Sequence, residues 1–517
     1  MFTSRTSPQA IFRLRLEAEY YDPEKLRQLS WMNQWRGRLV SLEDLCKYIT
    51  DGTHITPTYV VDGVRFLSST NINACWVDFQ NTKFISAEEH LQLGKAKCNP
   101  TAGDILLAKN GKIGTAATYR QQHEPVSLFV SVALLHYSAS LDRDYVTAFL
   151  NSAGGWVQFS RSSKTGVITN LHLEEIREVM VPVVHVDVQR YIGEKVRQAE
   201  AMRCRVQQLQ KRIDDLLAPF KSMQVPTGRT SRVASREVSD TLNANAYMAQ
   251  FVQAYRIVEE RRHKTIANLS SSVADGPFGS NLTVTDYRTG AEAVHPVVRV
   301  KNCEDGKFNR TDLVWIDAEK QSELARSAAI PGDLLVTKAG RIGSAAVYPE
   351  DLPTGNITSH LIRARIKPPI DAQYVAEFLE TPVGRAITLR HSFKSTRPEL
   401  TKAEIEVCPI PLLTDAEMLE IAVRSRTKNR LSEYSGLLVT AATLLVEAVI
   451  EGKCSEREIA EAQQHLDSED RDLDRLLLNR LTHSGIDVAD APKLYPDVEA
   501  FYQSLDAISD RLEEPAL

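Results

Sequence analysis

An internal repeat constrains this chain more than any other feature. Gly103–Tyr119 reads GDILLAKNGKIGTAATY and Gly332–Tyr348 reads GDLLVTKAGRIGSAAVY, with 10 of 17 positions identical at an offset of 229. The offset persists downstream. Asp142, Tyr145, Val146, Phe149 and Leu150 match Asp371, Tyr374, Val375, Phe378 and Leu379, and Leu171, Glu175, Ile176 and Pro182 match Leu400, Glu404, Ile405 and Pro411. Upstream it drifts by a few residues: Asp51-Gly52 pairs with Asp275-Gly276, and Leu16, Ala18 and Tyr21 with Leu242, Ala244 and Tyr247. Two copies of about 225 residues therefore fill nearly all of the chain before its tail. Ordered matches over that length mean that one supersecondary unit is built twice.

Each copy has the same grammar. Ile105–Ala108 and Ile113–Tyr119 flank Asn110-Gly111 and predict two strands around a hairpin, with Ala339-Gly340 at the turn of copy two. Asp142–Asn151 and Asp371–Glu380 carry the apolar spacing of helices. Val181-Pro182 and Ile410-Pro411 end each mixed α/β unit, and a long helix follows. In the first helix Ile192, Val196, Ala199, Met202, Val206, Leu209, Ile213 and Leu216 step by fours and threes; in the second Leu431, Tyr434, Leu438, Ala441, Leu445 and Ala448 do so. Such a seam packs either on its own domain or on the other helix, and the repeat favours pairing because each copy supplies one helix.

The expected fold is α/β in the α+β sense: two repeated mixed α/β domains, each followed by a long helix with a coiled-coil-like seam, plus a small helical, acidic C-terminal extension. The boundaries fall at 1–184 for the first domain, 185–222 for the first helix, 223–238 for a polar linker, 239–413 for the second domain, 414–453 for the second helix and 454–517 for the extension.

Composition bounds the function. The 517 residues are 43% hydrophobic and 25% charged, which is ordinary for globular chains and excludes wholesale disorder. The longest apolar stretch, Gly436–Ile450, is interrupted by Glu447, so no membrane span is expected. No apolar segment follows the opening residues, so no secretory signal is expected either. Seven scattered cysteines without a Cys-x-x-Cys pair argue against a disulfide framework or zinc site and for a reducing cytoplasm. The net charge of −5 is unevenly spread. Glu451–Leu517 holds 17 acidic and 7 basic residues, a net of −10, which leaves 50 acidic and 55 basic residues before it, a net of +5. The body can thus present basic faces to nucleic acid despite the total.

Catalytic patterns are missing. Lys109–Gly114 reads KNGKIG, but Ile113 stands where a phosphate loop needs a hydroxyl. No His-Glu-x-x-His occurs, and Asn99-Pro100-Thr101 lacks the aromatic of an amino-methyltransferase motif. Glu451-Gly452-Lys453 fits a nuclease fragment only at a helix end with no upstream metal-binding Asp. Asp104 and Asp333 fit turn-fixing positions before a strand. No catalytic or metal residue is expected.

Polar and basic residues recur instead, at equivalent places on predicted loops. In copy one they are Thr53, His54, Asn71, Asn73, Lys109, Asn110, Lys112, Arg161 and Lys164. In copy two they are Ser280, Asn281, Lys301, Asn302, Lys338, Arg341, Arg390, His391, Lys394 and Arg397. These residue types meet phosphates and base edges. The shared Lys109/Lys338 and Lys112/Arg341 suit phosphate contacts. The divergent 161–165 and 390–397 stretches suit sequence readout, because two copies reading different half-sites must differ somewhere.

The pattern resembles the specificity subunit of type I restriction–modification systems. The residues that carry it are Gly103–Gly114 and Gly332–Gly343, the Leu171–Pro182 and Leu400–Pro411 endings, and Leu445–Lys453; the resemblance covers roughly residues 10–454. It implies two target recognition domains, each reading half of a bipartite site in double-stranded DNA, separated by the two long helices paired as an antiparallel coiled coil, which also dock two adenine methyltransferase subunits, with a motor–nuclease subunit joining for cleavage. S-adenosylmethionine and ATP with Mg²⁺ would sit on those partners, with no cofactor and no catalysis in this cytoplasmic, prokaryotic chain. The acidic tail departs from the pattern and leaves open another phage-defence assembly. An enzyme with its own divergent nuclease or methyltransferase site is the remaining alternative.

Overall fold

The computed structural model describes residues 18–120, 124–162, 170–223, 233–235, 238, 243–304, 306–392 and 399–509. The chain divides into two compact units, Met1–Cys204 with Ser432–Leu517, and Arg205–Leu431. Both divisions fall inside the long helices, Val186–Leu216 and Asp415–Ile450, so each unit holds one repeat and a part of each helix.

The repeat is visible strand by strand. The first unit contains a four-stranded antiparallel sheet ordered Cys46–Asp51, Val132–Tyr137, Ile105–Ala108, Ala116–Thr118. The second contains Ser270–Asp275, Leu361–Ile366, Leu334–Thr337 and Ala345–Val347 in the same order. The predicted hairpin is present in both, with Leu106 opposite Ala117 and Leu335 opposite Ala346. Its second strand starts at Ala116 rather than Ile113. Gly114 takes a left-handed φ of 79° and lies against Phe159, where a Cβ would approach the ring to 2.3 Å, so the chain turns there instead of extending. A smaller sheet flanks each main one, and in it Val126–Leu128 runs parallel to Val64–Leu67 as Asn356–Ile357 does to His295–Val298.

The predicted helices follow from their caps. The Asp142 carboxylate accepts from the backbone N–H of Asp144 and Tyr145 to start Arg143–Asn151, and Asp371 accepts from Gln373 to start Ala372–Leu379. Tyr145 and Tyr374, fully buried, each donate to a proline carbonyl of the closing strand, Pro182 and Pro411, both at 2.7 Å. Asp104 and Asp333 fix turns, accepting from Thr101 N at 2.7 Å and from Ile330 N at 2.9 Å.

The long helices bury most of their predicted seams, with Val206, Leu216 and Tyr434 half-buried. Ile192, Val196, Ala199, Met202, Leu209 and Ile213 are buried in one, and Leu431, Leu438, Ala441, Leu445 and Ala448 in the other. Within the second unit they run antiparallel: Arg212 pairs with Glu420 at 2.9 Å, and Lys428 donates to Gln210 at 2.8 Å. Asp415–Ile450 is long and apolar enough to cross a bilayer by composition alone, and half of its apolar window is buried against this chain. All seven cysteines are free.

The C-terminal extension folds as part of the first unit. Its helices Glu456–Asp467, Asp472–Arg480 and Val498–Ser509 meet the start of the first long helix. Arg190 makes a two-pronged pair with Asp467 at 2.9 and 3.0 Å, and Glu456 accepts from the His185 N–H at 2.6 Å. Lys195 reaches Asp474 at 2.7 Å with side chains only 1% and 3% exposed, and Tyr191 and Tyr502 donate to the same carboxylate. The negative charge of the tail thus has a cationic counterpart on the helix it covers.

Candidate nucleic-acid interface

In the first unit three segments converge on one face at the ends of the sheets. Gly52 passes so close to the strand end that a Cβ would lie 2.1 Å from the Leu128 carbonyl oxygen. This approach lets Thr53 N donate to Leu128 O and Val130 N to Thr53 O. The Ser69–Asn71 turn joins next, with Ser69 N donating to Ser131 Oγ and Ser69 Oγ to Asn110 Oδ1 at 2.9 Å. The hairpin closes the set, because Lys109 N donates to Ser131 O. Thr53, His54, Lys109 and Asn110 are therefore neighbours, together with Ser69 and Ser131, which sequence reading missed. Lys112, exposed at the hairpin tip, donates to Asn73 at 2.7 Å.

The second unit repeats the construction. A Cβ at Gly276 would lie 2.0 Å from the Thr358 carbonyl oxygen, and Lys338 N donates to His360 O. Here the segments enclose an open cavity of about 460 Å³, lined by Pro277, Leu282, Arg299, Lys301 and His360 among others. Lys301 pairs with Asp312 at 2.6 Å, and its hydrogen bond holds that carboxyl below the usual range. Ser280 and Asn281 are exposed beside the cavity, and Arg341 is exposed on the hairpin turn. The segments 163–169 and 393–398, with Lys164, Lys394 and Arg397, lie outside the described residues, as does the His391 side chain. Residues further along the chain meet the same face: Leu171 N donates to Lys109 O, and Leu400 N to Lys338 O.

Several of the expected contact residues are buried or engaged within the chain. The Lys109 ammonium is not offered to solvent; it is buried on Asp51 at 2.5 Å, and Lys338 meets Asp275 at 3.0 Å. Asn71 and Asn302 are buried turn-formers. Asn71 accepts from Ser68 N and donates to Asp78 O and Asn81 O, and Asn302 accepts from Arg299 N and donates to Asn309 O and Thr311 O. Arg161 and Arg390 stand in the last turns of the helices Ala153–Ser162 and Pro382–Ser392, not on loops. Arg161 lies 3.9 Å over the Tyr20 ring, and buried Arg390 lies 4.4 Å over Tyr255 and 5.5 Å over Tyr247. Each arginine thus ties its helix to the opening segment of its own repeat. Thr53, His54, Asn73, Asn110, Lys112, Ser280, Asn281, Lys301 and Arg341 remain at the faces described.

Among the described residues, no group of three or more His, Cys, Asp or Glu is arranged to hold a metal ion. Lys453 pairs with Glu451 at 2.6 Å beside Gly452, whose φ of 69° closes the second long helix.

No family model matches the chain. It is 23% identical over 272 residues to the specificity subunit of the type I restriction enzyme EcoBI of Escherichia coli, a match covering 51% of this chain and 54% of that protein. The chain resembles a type I specificity subunit. It spans about half the length of the curated relative it matches. Among solved structures it is similar to the type I specificity subunit from M. genitalium, at 12% identity and a TM-score of 0.46, over 81% of this chain and 96% of that one. It is also similar to the HsdS subunit from Thermoanaerobacter tengcongensis, at 14% identity and a TM-score of 0.25, over 81% and 97%.

Proposed function

We propose that this chain is the DNA-recognition subunit of a restriction–modification assembly, reading a bipartite site in double-stranded DNA and supplying address rather than chemistry. The observation that carries the reading is duplication of the polar face: both units gather a Gly-anchored loop, a turn and a basic hairpin at the same sheet ends, while the 163–169 and 393–398 segments differ in sequence. A protein with two such faces reads two half-sites, and the differing segments allow the halves to differ. The sequence relation to a type I specificity subunit supports the same class. Its partners on this reading are adenine methyltransferase subunits and a motor–nuclease subunit of the prokaryotic cytoplasm, which carry S-adenosylmethionine and ATP with Mg²⁺.

Selection from a random-sequence duplex library by the purified full chain tests the proposal. Enrichment of two short conserved blocks separated by an unconserved spacer is expected, with binding that weakens steeply as salt rises. Enrichment of nothing, or of a single continuous block, contradicts it.

A further inference from the structure

The loop after Gly276 carries a residue that folding does not use. Phe278 is 83% exposed, although an aromatic ring is among the most favourable groups to bury. Its place is fixed, because Gly276 is wedged against Thr358 on one side and Asn281 N donates to Phe278 O at 2.8 Å on the other. Phe278 lies between Pro277 and Gly279, both of which line the cavity with Arg299 and Lys301. The Arg299 Nε is buried there without a hydrogen-bond partner. A ring left in water on a pinned stretch of backbone, between two residues that line a cavity with two cations, fits a flat, electron-rich partner flanked by anionic groups.

The first unit presents the same design with different residues. After Gly52 come His54, with a side chain 74% exposed, and Ile55, 78% exposed. Lone exposed apolar residues are common. Exposed rings at repeat-equivalent, Gly-anchored loop tips in both units are a constructed feature.

We propose that each tip is a stacking wedge that inserts against a base in its half-site: Phe278 in the second unit, and His54 with Ile55 in the first. This rests on the DNA-recognition reading and names how that face grips its duplex. Apolar side chains pushed between base steps unstack and kink DNA, which adds preference for easily deformed steps. Arg299 and Lys301 then hold the flanking phosphates.

The test uses the full chain and the duplex that the wild-type chain enriches from a random library, with 2-aminopurine replacing adenine at each position in turn. Wild-type binding should brighten 2-aminopurine at one step in each half. Phe278→Ala should abolish brightening in one half only and weaken binding about tenfold, and Phe278→Trp should retain both. Because the ring is exposed, thermal unfolding should be unchanged in both variants. Unaltered brightening and affinity in Phe278→Ala overturn the wedge while leaving DNA recognition intact. Loss of a co-purifying protein subunit with normal DNA binding overturns it in favour of a protein contact. Failure of the wild type to enrich any duplex overturns the recognition reading itself, and the wedge with it.

Discussion

Lys109 and Asp51 form a short ion pair, Nζ to Oδ2 at 2.5 Å, between the hairpin and the strand that precedes the first Gly-anchored loop. Lys338 and Asp275 repeat it at 3.0 Å. The pair joins the hairpin to the loop that presents His54 and Ile55, so it shapes the face. Lys109→Ala leaves a mostly buried carboxylate uncompensated and should cost about 2–4 kcal/mol of unfolding free energy. The double change Asp51→Asn with Lys109→Met should recover part of that loss in a double-mutant cycle. Unchanged stability together with a reduced salt slope of DNA binding would return Lys109 to the phosphate contacts.

Asn302 satisfies three backbone groups from a fully buried position. Asn302→Ala should cost roughly 2–4 kcal/mol, since a buried unsatisfied polar group costs about 1–3 kcal/mol and more than one is stranded. Urea unfolding measures this. A cost well under 1 kcal/mol would mean that the turn survives without it.

The extension is held by a buried charge. Burial pushes the Asp474 carboxyl up, but the Lys195 charge and hydrogen bonds from Lys195, Tyr191 and Tyr502 outweigh it and hold the pKa below the ordinary 3.8. A carboxyl depressed in the folded state stabilises above its unfolded pKa and loses that contribution as pH falls through the folded value. The first unit should therefore lose stability as pH drops below about 3.8, and Asp474→Asn should remove that component. At neutral pH the same change strands the Lys195 ammonium and should cost about 3–5 kcal/mol. Thermal unfolding across pH separates the two effects, and a variant with wild-type stability at neutral pH would refute the anchoring role.

Glu447 behaves oppositely. Its burial raises the carboxyl pKa although it accepts from Ala153 N at 2.7 Å, capping the helix Ala153–Ser162. A raised carboxyl pKa makes the folded state less stable as pH rises through it. Glu447→Gln keeps an acceptor and removes the charge, so stability at neutral pH should hold or rise slightly. A loss of more than about 1 kcal/mol in chemical unfolding would show that the cap needs the charge.

The repeat in the sequence carried most of the fold, because matched turns, caps and apolar spacing are local. Asp142 and Asp371 read as helix starts, and both strand–turn–strand motifs fold as hairpins. The site was less legible, because partners lie far off in sequence. Lys109 finds Asp51 58 residues away, and Arg390 finds Tyr255 across its repeat. One signal was available: Asp51/Asp275 and Lys109/Lys338 are both duplicated, and an acid and a base kept together in two copies indicate a pair. Phe278 gave no such signal, since its apolar side chain reads as core until its exposure is known. The extension's acidity likewise has meaning only beside Arg190 and Lys195.

The most direct test of the account replaces residues 393–398 with a Gly/Ser segment of equal length, and separately residues 163–169, and repeats the duplex selection. Each replacement should erase the sequence preference of one block of the bipartite site and leave the other block unchanged, the two replacements affecting opposite blocks. Loss of both blocks from either replacement, or of neither, in a chain whose thermal unfolding is unaltered, would contradict the assignment of one half-site to each repeat.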